Sequence, residues 1–224
     1  DKNQNPTYTL KTFMNSIAED ALKNGVANLR GGKGASYVKS AGNHFRTQST
    51  SDCGTNMTCT ELAVDDSHGV PYMIVVAALD ADNIKSSYSS TGAGLWISGF
   101  GGENGGNQSV VGGQGYSLNN GIYKPAIMTT DQSTCASGYV SDAYVTENTI
   151  YNNEFENPSG HSENTNCNYT STFNGTSSAA PTISGVIALM LEANPDLTWR
   201  DVKHILATTA DKIDASRSHT YQGL

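Results

Sequence analysis

One serine in this chain stands where a nucleophile could work. Phe173-Asn174-Gly175-Thr176-Ser177-Ser178-Ala179-Ala180-Pro181 runs from a small-residue turn into Ile183, Val186, Ile187, Leu189, Met190 and Leu191. That segment is apolar on nearly every side and reads as a helix destined for burial. At a helix N-terminus the first backbone N–H groups lack partners inside the helix, and the dipole is positive. A hydroxyl placed there lies beside groups that stabilise developing negative charge, as acyl transfer requires. Pro181 reads as a first-turn proline, where the missing N–H costs nothing. Ser and Thr are also ordinary helix caps, so Gly175-Thr176-Ser177 by itself is equally a cap.

A second constellation lies upstream. Ala35-Ser36-Tyr37-Val38-Lys39 reads as a short strand emptying into Ser40-Ala41-Gly42-Asn43. In a mostly parallel α/β sheet, the turn at a strand's carboxyl end is where sites are assembled. Gly-Asn is also a common turn dipeptide.

The longer string Gly175 to Pro181 resembles the serine-nucleophile motif of the subtilisin-like serine proteases. Ala193-Asn194 with Leu197-Thr198-Trp199-Arg200-Asp201 resembles their kexin and furin branch, and Ser86 to Gly102 is similar to the family's segment between two sheet strands. The likeness covers most of residues 30–215. It implies an α/β fold of three layers, a mostly parallel sheet flanked by helices. It also implies a secreted serine endopeptidase in which Ser177 attacks a peptide carbonyl and the Asn43 amide donates to the tetrahedral intermediate.

Such a serine needs a histidine as base and a carboxylate to orient it, and in this family both precede the asparagine turn. The histidines are His44, His68, His161, His204 and His219, all after Asn43. His68-Gly69-Val70 mimics the family's His-Gly-Thr but falls on the wrong side of the turn. Asp20 lies within a helical pattern. The expectation is therefore that residues 1–224 are the C-terminal part of a catalytic domain, inactive alone, whose other part supplies the aspartate and histidine. Neither the β-rich domain that follows in the kexin branch nor a targeting segment is represented. The resemblance further implies peptide substrates and a propeptide or chaperone as folding partner. The alternative is a non-catalytic binding or inhibitory module on the same fold.

In the kexin branch an aspartate after the asparagine turn lines the pocket for a basic side chain. Asp66 corresponds, with Asp65 its close alternative. Asp52 resembles an aspartate that binds calcium near that pocket, so Ca2+ is the implied cofactor, but the glutamate that would share the ion maps near Ser90.

Several elements must position these residues. Leu10, Phe13, Met14, Ile17, Ala18, Ala21 and Leu22 give an amphipathic helix over 8–24, with Gly25 as its stop. Strands are expected at 35–40, 72–79, 94–98 and 125–129. Thr198 and Asp201 make a capping pair that opens a helix through Val202, Ile205, Leu206 and Ile213. Between these lie polar loops at 44–70, 99–124 and 131–172, lengths that usually carry function. Cys53 with Cys59 and Cys135 with Cys167 fall as local pairs, expected as disulfides and hence an oxidising compartment. Net charge is −8, and Asp131 to Asn174 holds six acids and no Lys or Arg. Nucleic-acid binding is excluded on that balance, and no apolar run approaches a membrane span.

Overall fold

The computed structural model describes residues 14–43, 65–105, 124–139, 155–156 and 161–213. Its centre is the run Met73–Leu79, β2, buried at every position. An uninterrupted apolar strand needs cover on both faces, as in parallel sheets. β2 is flanked in parallel by β1 (Tyr37–Ser40) and β3 (Ile97–Phe100), in the order β1-β2-β3. Its side chains alternate between two cores. Ile74, Val76 and Ala78 pack with Ile183 and Ile187 of helix α2 (Thr176–Ala193) and with Val202 and Leu206 of helix α3 (Trp199–Thr209). Met73, Val75 and Ala77 pack on the other face, with Leu22 of helix α1 (Ser16–Asn28) against them. Each large aliphatic side chain so buried contributes roughly 1.5–3 kcal/mol. The result is the expected three-layer α/β arrangement. A two-stranded antiparallel sheet, β4 (Ile127–Thr130) with β5 (Tyr169–Phe173), lies beyond it.

Four readings of the sequence need correction. Gly25 does not stop α1: the helix runs on to Asn28, and a Cβ at Gly25 would lie 1.7 Å from Tyr37 Oη. Glycine is there for close approach to β1, while Asn15 caps the start by accepting from the Ile17 N–H at 2.8 Å. Ile17, placed on the buried face, is 77% exposed. β3 begins at Ile97, because Leu95 N–H donates to Gly92 O and closes a turn ahead of the strand. β5 lies inside the stretch read as loop.

Helix α2 is also not buried all round. Ile183 and Ile187 face the sheet, but Val186 and Leu189 are exposed. Pro181 is the sixth residue of this helix rather than a first-turn proline, so its missing N–H withdraws the i+4 donor of the Ser177 carbonyl. The α3 capping box is present as expected, with Thr198 Oγ1 accepting from the Asp201 N–H and the Asp201 carboxylate accepting from the Thr198 N–H.

Candidate active site

The carboxyl ends of β1 and β3 and the N-terminus of α2 lie at one end of the sheet, and Ser177 stands there, exposed, as the second residue of α2. Gly175 caps the helix at φ +107°, a left-handed value natural to glycine. Its carbonyl accepts from the Ser178 N–H at 2.9 Å. Thr176 N–H donates to Asn43 Oδ1, and the Ser177 N–H has no acceptor among the described residues.

Asn43 is brought to this point by β1 and held by Thr176. Both the Thr176 N–H and the Thr176 hydroxyl donate to Asn43 Oδ1 at 2.9 Å. The same hydroxyl oxygen accepts from the Gly42 N–H at 3.0 Å. With Oδ1 doubly occupied, the amide orientation is set, and Asn43 Nδ2 presents its hydrogens without an acceptor among the described residues. Gly175 makes room for it, since a Cβ there would stand 3.2 Å from Nδ2. Two N–H donors without acceptors among the described residues, near a serine at a helix N-terminus, are an arrangement able to stabilise developing negative charge.

The rest of the Ser40–Asn43 turn is fixed from three sides. Ala41 N–H donates to Val76 O, Ser90 N–H donates to Gly42 O, and His68 Nε2 lies 3.1 Å from Ser40 O. His68 is therefore a buried ligand of the turn's backbone. Among the described residues no imidazole or carboxylate hydrogen-bonds the Ser177 hydroxyl: His161 Nδ1 accepts from the Glu163 N–H, and His204 lies on α3. His44 and His219 lie outside the described residues.

Asp65 and Asp66 open a short 3-10 turn, Asp66–His68. The Asp65 carboxylate accepts from the Ser67 N–H and hydroxyl, and pairs with Lys39 Nζ at 3.1 Å. Burial pushes its carboxyl up, but the Ser67 bonds and Lys39 outweigh that and hold it at about 2. Asp66, half-buried, follows on the turn. Asp52, Cys53 and Cys59 lie outside the described residues, while Cys135 and Cys167 form a disulfide joining the two ends of the β4–β5 connection. Of the six acids in that connection, Glu156 is buried and accepts from the Ser171 N–H and hydroxyl of β5.

Among the described residues no three His, Cys, Asp or Glu side chains converge where a metal ion could sit. Around Ser90, the backbone carbonyls of Ser86 and Ser89 instead accept from Lys85 Nζ at 3.0 and 3.2 Å. A fixed ammonium there opposes a divalent ion. Asp52, the aspartate on which the calcium reading rests, lies outside the described residues. The role of Thr176 was also missed; its only signal was membership of the matched string.

The profile of the subtilase family matches residues 11–224. An extracellular serine protease of Aeromonas sobria is 33% identical over 190 residues, 82% of this chain and 27% of that protein. A calcium-dependent protease of Trichormus variabilis is 28% identical over 213 residues, 94% of this chain and 25% of that protein. The crystal structure of the Aeromonas sobria serine protease in complex with a chaperone superposes with a TM-score of 0.70 at 29% identity, covering 90% of this chain and 31% of that one. The chain thus spans about a quarter to a third of the length of these relatives.

Proposed function

The chain belongs to the subtilase family, and on that premise we propose that it carries the nucleophile and oxyanion side of a serine endopeptidase. Ser177 Oγ attacks the peptide carbonyl, and the oxygen that becomes negative is received by the Ser177 N–H and Asn43 Nδ2. The observation that carries this reading is the double grip of Thr176 on Asn43 Oδ1, which turns the amide's donors outward. In this proposal the base and the carboxylate that orients it do not come from the described residues. Residues 1–224 alone then turn over peptides no faster than a Ser177→Ala control, because a serine without its base is a weak nucleophile.

In this proposal Asp66 faces a basic side chain of the substrate, the protein is exported, and a chaperone or propeptide assists its folding. The relatives described above as extracellular and as chaperone-bound support the last two points. Calcium enters only through Asp52, and no step of the mechanism uses it. The deciding experiment is fluorophosphonate labelling of the natural full-length polypeptide. A covalent adduct on Ser177 that Ser177→Ala abolishes is the expected result; an adduct elsewhere, or none, sinks the proposal.

A further inference from the structure

Tyr88 joins the far side of the nucleophile turn to the end of β3. Its ring is buried in the core between β2 and α2, beside Ala78 and Ala179. The hydroxyl leaves that core at one point. Its oxygen accepts from the Gly175 N–H at 2.8 Å, and its hydrogen is donated toward the carbonyls of Gly101 and Gly102, at 2.8 and 2.7 Å. Burial pushes the phenol pKa up, so the group keeps this hydrogen throughout the neutral range.

Gly175 is where the chain bends to aim the Thr176 N–H at Asn43 and to leave the Ser177 N–H without an acceptor among the described residues. Its carbonyl is tied into α2 by Ser178. Its N–H has Tyr88 Oη at 2.8 Å and, further off, Gly101 O at 3.2 Å. No side chain could replace the phenol from the β3 side, since a Cβ at Gly101 would stand 2.4 Å from Ala78 Cβ and 2.8 Å from Gly175 O. We infer that Tyr88 is a positioning residue for acyl transfer, its hydroxyl setting the rotation of Gly175 and thereby the aim of the oxyanion donors. The inference rests on the endopeptidase reading above for its kinetic consequence, though not for its structural one.

The test compares wild type and Tyr88→Phe in the natural full-length polypeptide, well below the melting temperature of each. Hydrogen exchange of the Gly175 amide requires no chemistry at Ser177. It should quicken at least tenfold in the variant, and equal exchange overturns the inference. Phosphonylation then separates binding from reaction: the limiting rate constant should fall about 10- to 100-fold, as small misplacements of reacting groups do, with the probe's binding constant unchanged. A lower melting temperature with an unchanged limiting rate means a purely structural tyrosine and overturns it. A wild type that is never labelled at Ser177 removes the endopeptidase reading, while the exchange comparison still decides the clamp. Should Tyr88→Phe not accumulate folded, 3-fluorotyrosine at this position keeps the ring and weakens acceptance from Gly175. A slower limiting rate then supports the inference, and an equal one overturns it.

Discussion

Thr176 grips Asn43 twice on the same oxygen, with its N–H and its hydroxyl each 2.9 Å from Oδ1, and receives the Gly42 N–H on that hydroxyl. One side chain therefore links the start of α2 to Gly42 and Asn43 of the β1 turn. Thr176→Val keeps the branched shape but removes a donor to Asn43 and the acceptor for Gly42. We expect kcat of the full-length enzyme to fall about 5- to 30-fold, the equivalent of ~1–2 kcal/mol for such bonds, with KM unchanged. Thr176→Ser should restore most of it. A valine variant with wild-type kcat would show that Asn43 orients itself.

Removing the Asn43 amide outright should cost more. Asn43→Ala is expected to lower kcat about 100- to 1,000-fold, a magnitude taken from the equivalent donor in a subtilisin. Labelling of Ser177 should persist at a reduced rate, since the Ser177 N–H and the helix dipole remain. Steady-state turnover of a peptide substrate checks it, and near-equal activity would remove Asn43 from the mechanism.

Gly25 offers a test of packing away from the site. A Cβ at this position meets Tyr37 Oη at 1.7 Å and Cζ at 2.9 Å. Gly25→Ala should therefore destabilise by about 1–3 kcal/mol through overpacking, although alanine is the better helix former. Trimming the clash with Tyr37→Phe should recover part of that loss. Urea unfolding of the single and double variants measures it, and a stabilised Gly25→Ala would mean that α1 shifts freely over β1.

These contrasts show what was legible in the residue pattern. Buried β2 could be read directly from its run of seven apolar residues, and Ser177 and Asn43 stand out as candidates because both lie in strings that resemble the family's motifs. Gly25 could not, since a glycine that ends a helix and one that admits a tyrosine look alike until the partner is known. β5 escaped for a related reason: Tyr-Thr-Ser-Thr-Phe buries only Thr170, so its alternation carries little hydrophobic signal. The exposed Val186 and Leu189 mark a limit of another kind, because an apolar helix implies cover without saying which element provides it. Tyr88 and Thr176 act through single hydroxyls whose partners lie 87 and 133 residues away, a distance that no local pattern spans.

Asp65 should leave a signature in acid. Its carboxyl titrates at about 2 in the folded protein against 3.8 for an unperturbed aspartate, so its ionised form is favoured by folding. That contribution is fully present above pH ~4, declines as pH falls toward 2, and is absent below. The melting-temperature difference between wild type and Asp65→Asn should thus be constant from pH 7 to about 4 and close between 4 and 2. Its size should be modest, because the pair with Lys39 is over a third exposed. A difference that survives at pH 2 would assign the effect to shape rather than charge.

The proposed preference for basic residues bears on Asp65 and Asp66 together. The Asp65 carboxylate is committed to Ser67 and Lys39, which places its charge in the turn's own structure. We propose that Asp66, the first residue of that turn, is the carboxylate that an incoming Lys or Arg meets. Such a charge-assisted contact contributes ~1.5–3 kcal/mol, about 10- to 150-fold in rate. In the full-length enzyme, Asp66→Asn should lower kcat/KM on an arginine substrate by that factor while leaving a leucine substrate nearly unaffected. Asp65→Asn should change the two alike, because its loss loosens the turn without altering the charge that the substrate meets. The ratio of kcat/KM for the two substrates across the three proteins is the measurement. An unchanged ratio in Asp66→Asn would move any basic preference to other acids, Asp131 to Glu163 among them.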